Sequence, residues 1–181
     1  KAPAKSPLGL FNPIGARPPQ AAERSEPGHF EGDLILGSYN RSAIVTLFDR
    51  ASRLCLHADL PEDHTACSVL AALVETFDRS ECQHKLTLTW DRGVEMVEWD
   101  HLESLVGIDV FLSAPHSPWD RPTNENGNGL LRRYVGKGTD LGVYTPADLR
   151  VIETRLNTMP RRSLNWSTAQ DIHTGRGAMT D

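Results

Sequence analysis

Three carboxylates, Asp33, Asp91 and Glu125, stand where they could meet. Asp33 opens a short apolar run over residues 33–37. Asp91 directly follows a strand-like run over 86–90, and Glu125 lies in a segment that can be helical, beyond a further apolar run over 108–112. Close carboxylates repel one another, and one of them is driven to hold its proton unless a cation intervenes. Hard divalent ions such as Mg²⁺ take oxygen ligands and share them with substrate phosphates. Two such ions about 4 Å apart can serve both the attacking and the leaving oxygen of an in-line displacement. Metal-assisted phosphoryl chemistry is therefore what an acidic trio would do. Acyl transfer needs no such trio, and the chain shows no Gly-rich phosphate loop, no G-x-S-x-G elbow and no supported Cys/His pair.

Around Glu125, a loop with Pro118, Trp119 and Pro122 leads into the helical segment. Glu125, Asn128 and Arg132 fall at i, i+3 and i+7 on one face, while Leu130, Leu131 and Tyr134 can face a core. A carboxylate, an amide and a guanidinium on one face suit a metal and a phosphate, and Arg133 and Lys137 lie close by for phosphate contact. Each acid also has a plain structural use. Asp33 can cap a turn, Asp91-Arg92-Gly93 is good turn chemistry, and Glu125 suits a helix N-terminus.

The elements that would position these groups follow from periodicity. Runs over 33–37, 43–48 and 53–58, joined by short turns, predict three antiparallel strands. Pro61-Glu62-Asp63 starts a helix, with Asp63 as its cap and Ala66, Val69, Leu70, Leu73, Val74 and Phe77 at helical spacing. A fourth strand over 86–90 follows a crossover long enough for parallel pairing with an earlier strand. A helix over 94–106, a fifth strand over 108–112, the segment of Glu125 and a helix over 146–157 complete the order. The fold class expected is α/β, a mixed five-stranded sheet flanked by helices. If the first and fourth strands are parallel neighbours, Asp33 and Asp91 converge along the sheet.

Residues 1–27 hold six prolines and little apolar periodicity, so they read as an extended arm or linker before a domain over 28–166, with a tail over 167–181. The chain's 181 residues are enough for one buried core. No apolar run approaches a membrane span, and no signal peptide opens the chain. Cys55, Cys67 and Cys82 are odd in number and lack C-x-x-C spacing, which argues against a disulfide framework or zinc site and for a reducing cytoplasm. They read as small buried hydrophobes. Net charge is −5, but residues 1–120 carry −8 and residues 121–181 carry +3. That asymmetry permits a phosphate-binding surface on one side. His29 and His116 are not expected to ligate metal beside hard oxygen donors. Trp90, Trp99, Trp119 and Trp166 read as core or loop anchors.

At these same residues the sequence resembles the DDE transposases of bacterial insertion sequences, of the IS-thirty type. The likeness is carried by Gly28-His29-Phe30-Glu31-Gly32-Asp33-Leu34-Ile35, Ser42-Ala43-Ile44-Val45-Thr46-Leu47 and Thr87-Leu88-Thr89-Trp90-Asp91-Arg92-Gly93. It continues through Pro115-His116-Ser117-Pro118-Trp119, Asn124-Glu125-Asn126 with Asn128-Gly129-Leu130-Leu131-Arg132, Lys137-Gly138-Thr139-Asp140-Leu141, and Pro160-Arg161-Arg162 to Trp166. It runs from about Arg17 to Trp166. The resemblance implies an RNase H-like fold, a catalytic triad of Asp33, Asp91 and Glu125 on two Mg²⁺ or Mn²⁺ ions, and 3′-end cleavage followed by strand transfer. It implies transposon ends and target DNA as partners, a homo-oligomer during the reaction, no membrane, and a bacterial, nucleoid-associated cytoplasmic setting.

Members of that family commonly carry Trp at position 30, Gln at 120, Gly at 122 and Thr or Ser at 127. Here stand Phe30, Asp120, Pro122 and Gly127. The last three crowd around Glu125, and Gly127 costs its helix about 1 kcal/mol relative to alanine. The family's helix-turn-helix that recognises transposon ends has no counterpart before Gly28, so a catalytic-domain fragment or a truncated product is expected. A catalytically silent product that regulates full-length transposase, and a nuclease of the same fold, remain open as alternatives.

Overall fold

The computed structural model describes residues 11–80, 82, 84–113 and 121–176. Its centre is an antiparallel meander of β2 (His29–Leu36), β3 (Ala43–Asp49) and β4 (Cys55–Leu60). The turn between β3 and β4 is closed by Asp49, whose Oδ1 accepts the Ser52 amide at 2.6 Å and the Ser52 hydroxyl at 2.7 Å. On the other side of β2, β5 (Thr87–Trp90) pairs parallel, and β6 (Asp109–Leu112) pairs parallel with β5. The expected strand directions and the parallel crossover are all present.

The sheet has six strands, in the order β1-β6-β5-β2-β3-β4, where five were expected. The extra strand, β1 (Asn12–Pro13), pairs parallel with β6 and comes from the segment that read as an extended arm. Apolar periodicity could not reveal it, because two residues carry no period. A short helix α1 (Pro19–Glu23) follows, and its Ala21 is fully buried. The Ala21 carbonyl accepts from Arg50 Nε at 2.5 Å, so this segment docks against the β3–β4 turn.

Helices cover both faces. Alternation along β3 sends Val45 and Leu47 to one core and Ile44 and Phe48 to the other. The first core takes Val69, Leu73 and Phe77 of α2 (Ala66–Arg79) and Leu102 of α3 (Trp99–Val106), and Phe77 meets Phe30 edge-on at 5.4 Å. Thr65, not Asp63, caps α2. Asp63 lies two residues earlier and accepts from the Thr65 and Ser68 side chains. The expected helix over 94–106 divides into a 3-10 turn, Val94–Met96, and α3, which lets Met96 bury in the core.

The opposite face carries α4 (Pro122–Leu131), α5 (Pro146–Thr158) and, at its end, the short α6 (Ala169–His173). A capping box of Thr145 and Asp148 starts α5, with Pro146 in its first turn. α5 lies along β4, the edge of the sheet. Asn157 Oδ1 accepts the Cys55 amide and its Nδ2 donates to the Cys55 carbonyl, both at 2.8 Å. Glu153 Oε2 accepts the His57 amide at 2.8 Å. Two side chains thus stand in for a missing strand and close the edge.

Candidate active site

Asp33, Glu31 and Ile35 alternate onto the face of β2 that carries α4 and α5, Ile35 in their core. Asp33 lies in mid-strand, since β2 begins at His29 and not at Asp33 itself. β2 and β5 pair with Glu31 opposite Thr89, and the same register carried two residues further brings Asp91 level with Asp33. The close approach is allowed by Gly32, whose missing side chain leaves room for the Trp90 ring; a Cβ there would lie 2.1 Å from it. Both carboxylates then meet one cation. Arg121 Nη1 is 3.5 Å from Asp33 Oδ1 and Nη2 is 3.1 Å from Asp91 Oδ2. The Arg121 Nη1 also donates to the Gly32 carbonyl at 2.9 Å.

Helix α4 is laid across this pair by three anchors. Asn128 Nδ2 donates to Asp33 Oδ2 at 3.0 Å. At its start, the Asn124 amide donates to Glu31 Oε2 at 2.8 Å, and Thr123 Oγ1 accepts from Arg53 at 3.0 Å. Glu31 is completely buried and paired with buried Arg50, so a carboxylate sits under the positive end of α4. Pro122 occupies the first helical turn, where its missing N–H is harmless. Gly127 has a packing reason: a Cβ would fall 2.4 Å from the Phe48 ring, so only glycine lets α4 lie this close to β3. The helix expected to be weakened by Gly127 is instead fitted to the sheet through it.

Glu125 lies one turn before Asn128 on the same side of α4. Its side chain is exposed and forms no hydrogen bond or ion pair among the described residues. Among the described residues, no three or more His, Cys, Asp or Glu side chains are gathered so that they could hold a metal ion. The structure therefore brings Asp33, Asp91 and Asn128 together and leaves Glu125 at the rim.

Burial is the main reason that the Asp33 carboxyl titrates above its ordinary value. Arg121 pulls it down and Asp91 pushes it up. Asp91 Oδ1 and Asn128 Oδ1 are buried and have no hydrogen-bond partner. Two carboxylates sharing one cation, with two unused oxygens beside them, are a donor set that suits a hard divalent ion. Asp33 and Asp91 would hold it, with Arg121 as the charge it competes with.

Arg132 ties α4 down, donating to the Gly136 and Leu36 carbonyls at 3.2 and 3.1 Å, whereas Arg133 and Lys137 are exposed. Asn128, expected to meet DNA, holds Asp33. His29 is buried against Thr87 Oγ1 at 2.9 Å. Trp90 is core and Trp99 packs against the same core, but the Trp166 side chain is 70% exposed. All three cysteines are free, with Cys55 buried, Cys82 half-buried and Cys67 exposed. His116, Trp119 and Asp120 lie outside the described residues. Sequence reading passed over Glu31, Arg50 and Arg121. A charged residue inside the apolar-flanked stretch 29–36 was the available signal for Glu31; nothing local marked Arg121.

The integrase core domain model matches residues 23–118. A transposase for insertion sequence element IS1086 from Cupriavidus metallidurans is 46% identical over 88% of this chain and 47% of its own length. Transposase InsI for insertion sequence element IS30A from Escherichia coli is 40% identical over 93% of this chain and 44% of its own. The chain thus spans about half the length of these relatives. The catalytic core domain of BIV integrase superposes with a TM-score of 0.59 at 18% identity, covering 82% of this chain and 94% of that one. A chain of a simian T-cell lymphotropic virus intasome gives 0.66 at 17%, covering 82% and 55%. These likenesses establish the RNase H-like fold. With the sheet and its register in agreement with the integrase core match, the chain belongs to the integrase core domain family.

Proposed function

We propose that this chain is the part of an insertion-sequence transposase that cuts DNA at a transposon end and joins the new 3′-hydroxyl to target DNA. The observation that carries this reading is the pair Asp33 and Asp91, level on adjacent parallel strands and converging on one cation. Asp33, Asp91 and Glu125 are the proposed ligands of two divalent ions, Mg²⁺ or Mn²⁺. When bound, these ions supply charge neutralisation and orientation for in-line phosphoryl displacement. Asp33 and Asp91 are held rigidly by the sheet, Asn128 orients Asp33, and α4 delivers Glu125 from above. Arg121 is the counter-charge that the two aspartates share before a metal arrives. DNA ends and target DNA are the proposed substrates, in the bacterial cytoplasm near the nucleoid, and joining two ends calls for more than one copy of the chain. No helix among the described residues is long and apolar enough to cross a membrane.

One observation favours a second reading. Among the described residues, Glu125 forms no group with Asp33 and Asp91 that could hold a metal, as expected of a catalytically silent product that regulates an active transposase. Metal-dependent nicking and strand transfer on labelled duplex DNA separates the two, comparing wild type with Glu125→Gln and Asp91→Asn. Loss in both variants supports the catalytic reading; equal activity in wild type and Glu125→Gln removes Glu125 from the site.

A further inference from the structure

Across α4 from Glu125, the side chains of Arg53, Arg161 and Arg162 line a cleft of about 420 Å³, together with Asn126 and Ser163. None of the three arginines forms a salt bridge among the described residues. Like charges converge there against their mutual repulsion. The protonated form of Arg53 is disfavoured, first by burial and then by Arg24, with Arg50 and Arg161 adding to it. Glu31 offsets part of this, but it is already paired with Arg50. Arg53 also holds a left-handed backbone, φ 65, which a non-glycine residue rarely adopts.

A second feature stands in the same loop as Arg161 and Arg162. Asn165 and Trp166 are both left-handed, with φ 52 and 65, and Trp166 is 70% exposed. The loop is closed on itself: Trp166 N donates to the Arg161 carbonyl at 2.9 Å, Arg161 N to Ser167 at 3.1 Å and Ser167 N to Leu164 at 2.9 Å. An exposed indole is therefore presented from a fixed turn beside three guanidinium groups with no carboxylate partner among the described residues, although Arg53 donates to Thr123 Oγ1 and Arg161 to the Leu156 carbonyl. Guanidinium forks match phosphate oxygens two at a time, and an exposed aromatic ring offers a stacking face to any base.

We infer that the Arg53–Arg161–Arg162 cleft and Trp166 hold a DNA segment that lies outside the bond being cut. This rests on the proposed function, and it adds a DNA path around α4. The helix with its side chains is about 10–12 Å thick, so a strand held on this face is displaced by that much from Glu125. The cleft takes phosphates, and Trp166 takes an unpaired or end base.

The test is binding, measured in EDTA so that no cutting occurs. A labelled 30-base-pair duplex of arbitrary sequence and a labelled oligo-dT are titrated with wild type, Arg162→Gln and Trp166→Ala at several KCl concentrations. Both side chains are exposed and free of hydrogen bonds among the described residues, and thermal melting checks that the fold is kept. Arg162→Gln is expected to flatten the salt dependence of duplex binding by about one unit of slope. Trp166→Ala is expected to weaken oligo-dT binding about tenfold. Wild-type affinity and slope in both variants would overturn the cleft alone. A wild-type chain that binds neither probe would overturn the cleft and the proposed function together. Failure of the catalytic reading shows separately, as DNA cutting that ignores Asp91→Asn.

Discussion

The backbone N–H of Asn124, in the first turn of α4, donates to the buried carboxylate of Glu31 at 2.8 Å. Glu31 lies two residues before Asp33 on the same face of β2, so one strand carries both a proposed ligand and the anchor of the helix that bears another. Arg50 neutralises Glu31 and reaches back to Ala21, which ties α1 into the same chain of contacts. Removing the carboxylate strands a buried guanidinium and frees the helix N-terminus.

Glu31→Ala is therefore expected to destabilise the fold by about 3–5 kcal/mol, the usual cost of removing one partner of a buried pair. Urea unfolding followed by tryptophan fluorescence measures it. A loss below about 1 kcal/mol would mean that Glu31 does not anchor α4.

Gly127→Ala sets two effects against each other. Alanine favours a helix by about 1 kcal/mol over glycine, but its Cβ would meet the Phe48 ring 2.4 Å away. Overpacking costs about 1–3 kcal/mol, so a net loss is expected. A second change, Phe48→Leu, should recover part of it, and the two melting temperatures together read the coupling.

Asn157→Ala leaves the Cys55 amide and carbonyl on the sheet edge without partners. At about 1–3 kcal/mol for each orphaned buried group, the loss should exceed that of an ordinary surface change. Hydrogen exchange at the Cys55 amide should rise at the same time. Unchanged protection there would mean that α5 does not close the edge.

Asp33 and His57 give opposite pH signs. Asp33 titrates above its ordinary value, so its folded form holds the proton more tightly than the unfolded chain. Stability from this group is present at low pH and is lost as pH rises above about 3.8. Divalent cation should restore it: Mn²⁺ is expected to raise the melting temperature at pH 7 in wild type and to leave Asp33→Asn unmoved. His57 is fully buried, with its pKa pushed down to about 3, first by burial and then by Arg79. Its neutral form is favoured, so stability is complete above 6.5 and is lost as pH falls toward 3. His57→Gln should flatten that acid limb, read from urea midpoints between pH 7 and 4.

Apolar periodicity and turn signals predict the meander, the crossover strand, a helix beyond Asp63 and a helix over 146–157, and the structure has helices at Ala66–Arg79 and Pro146–Thr158, because each buries one face against a sheet or helix with a fixed repeat. Asp33 and Asp91 could be placed as strand neighbours for the same reason. Strand ends set by pairing were less legible: β2 begins four residues before Asp33 because β3 and β5 both extend along it. The two-residue β1 could be seen only through its partner β6.

The sequence by itself determined which residues bear charge and which segments carry a period, and its ordered motifs pointed to the family. Only the tertiary structure decided that Arg121 would bridge the two aspartates, that Glu31 would sit under α4, and that glycines 32 and 127 would be spaces for Trp90 and Phe48. These are contacts between residues 30 to 93 positions apart, or between a missing side chain and a ring. No local pattern encodes them, because they depend on how closely one packed element can approach another.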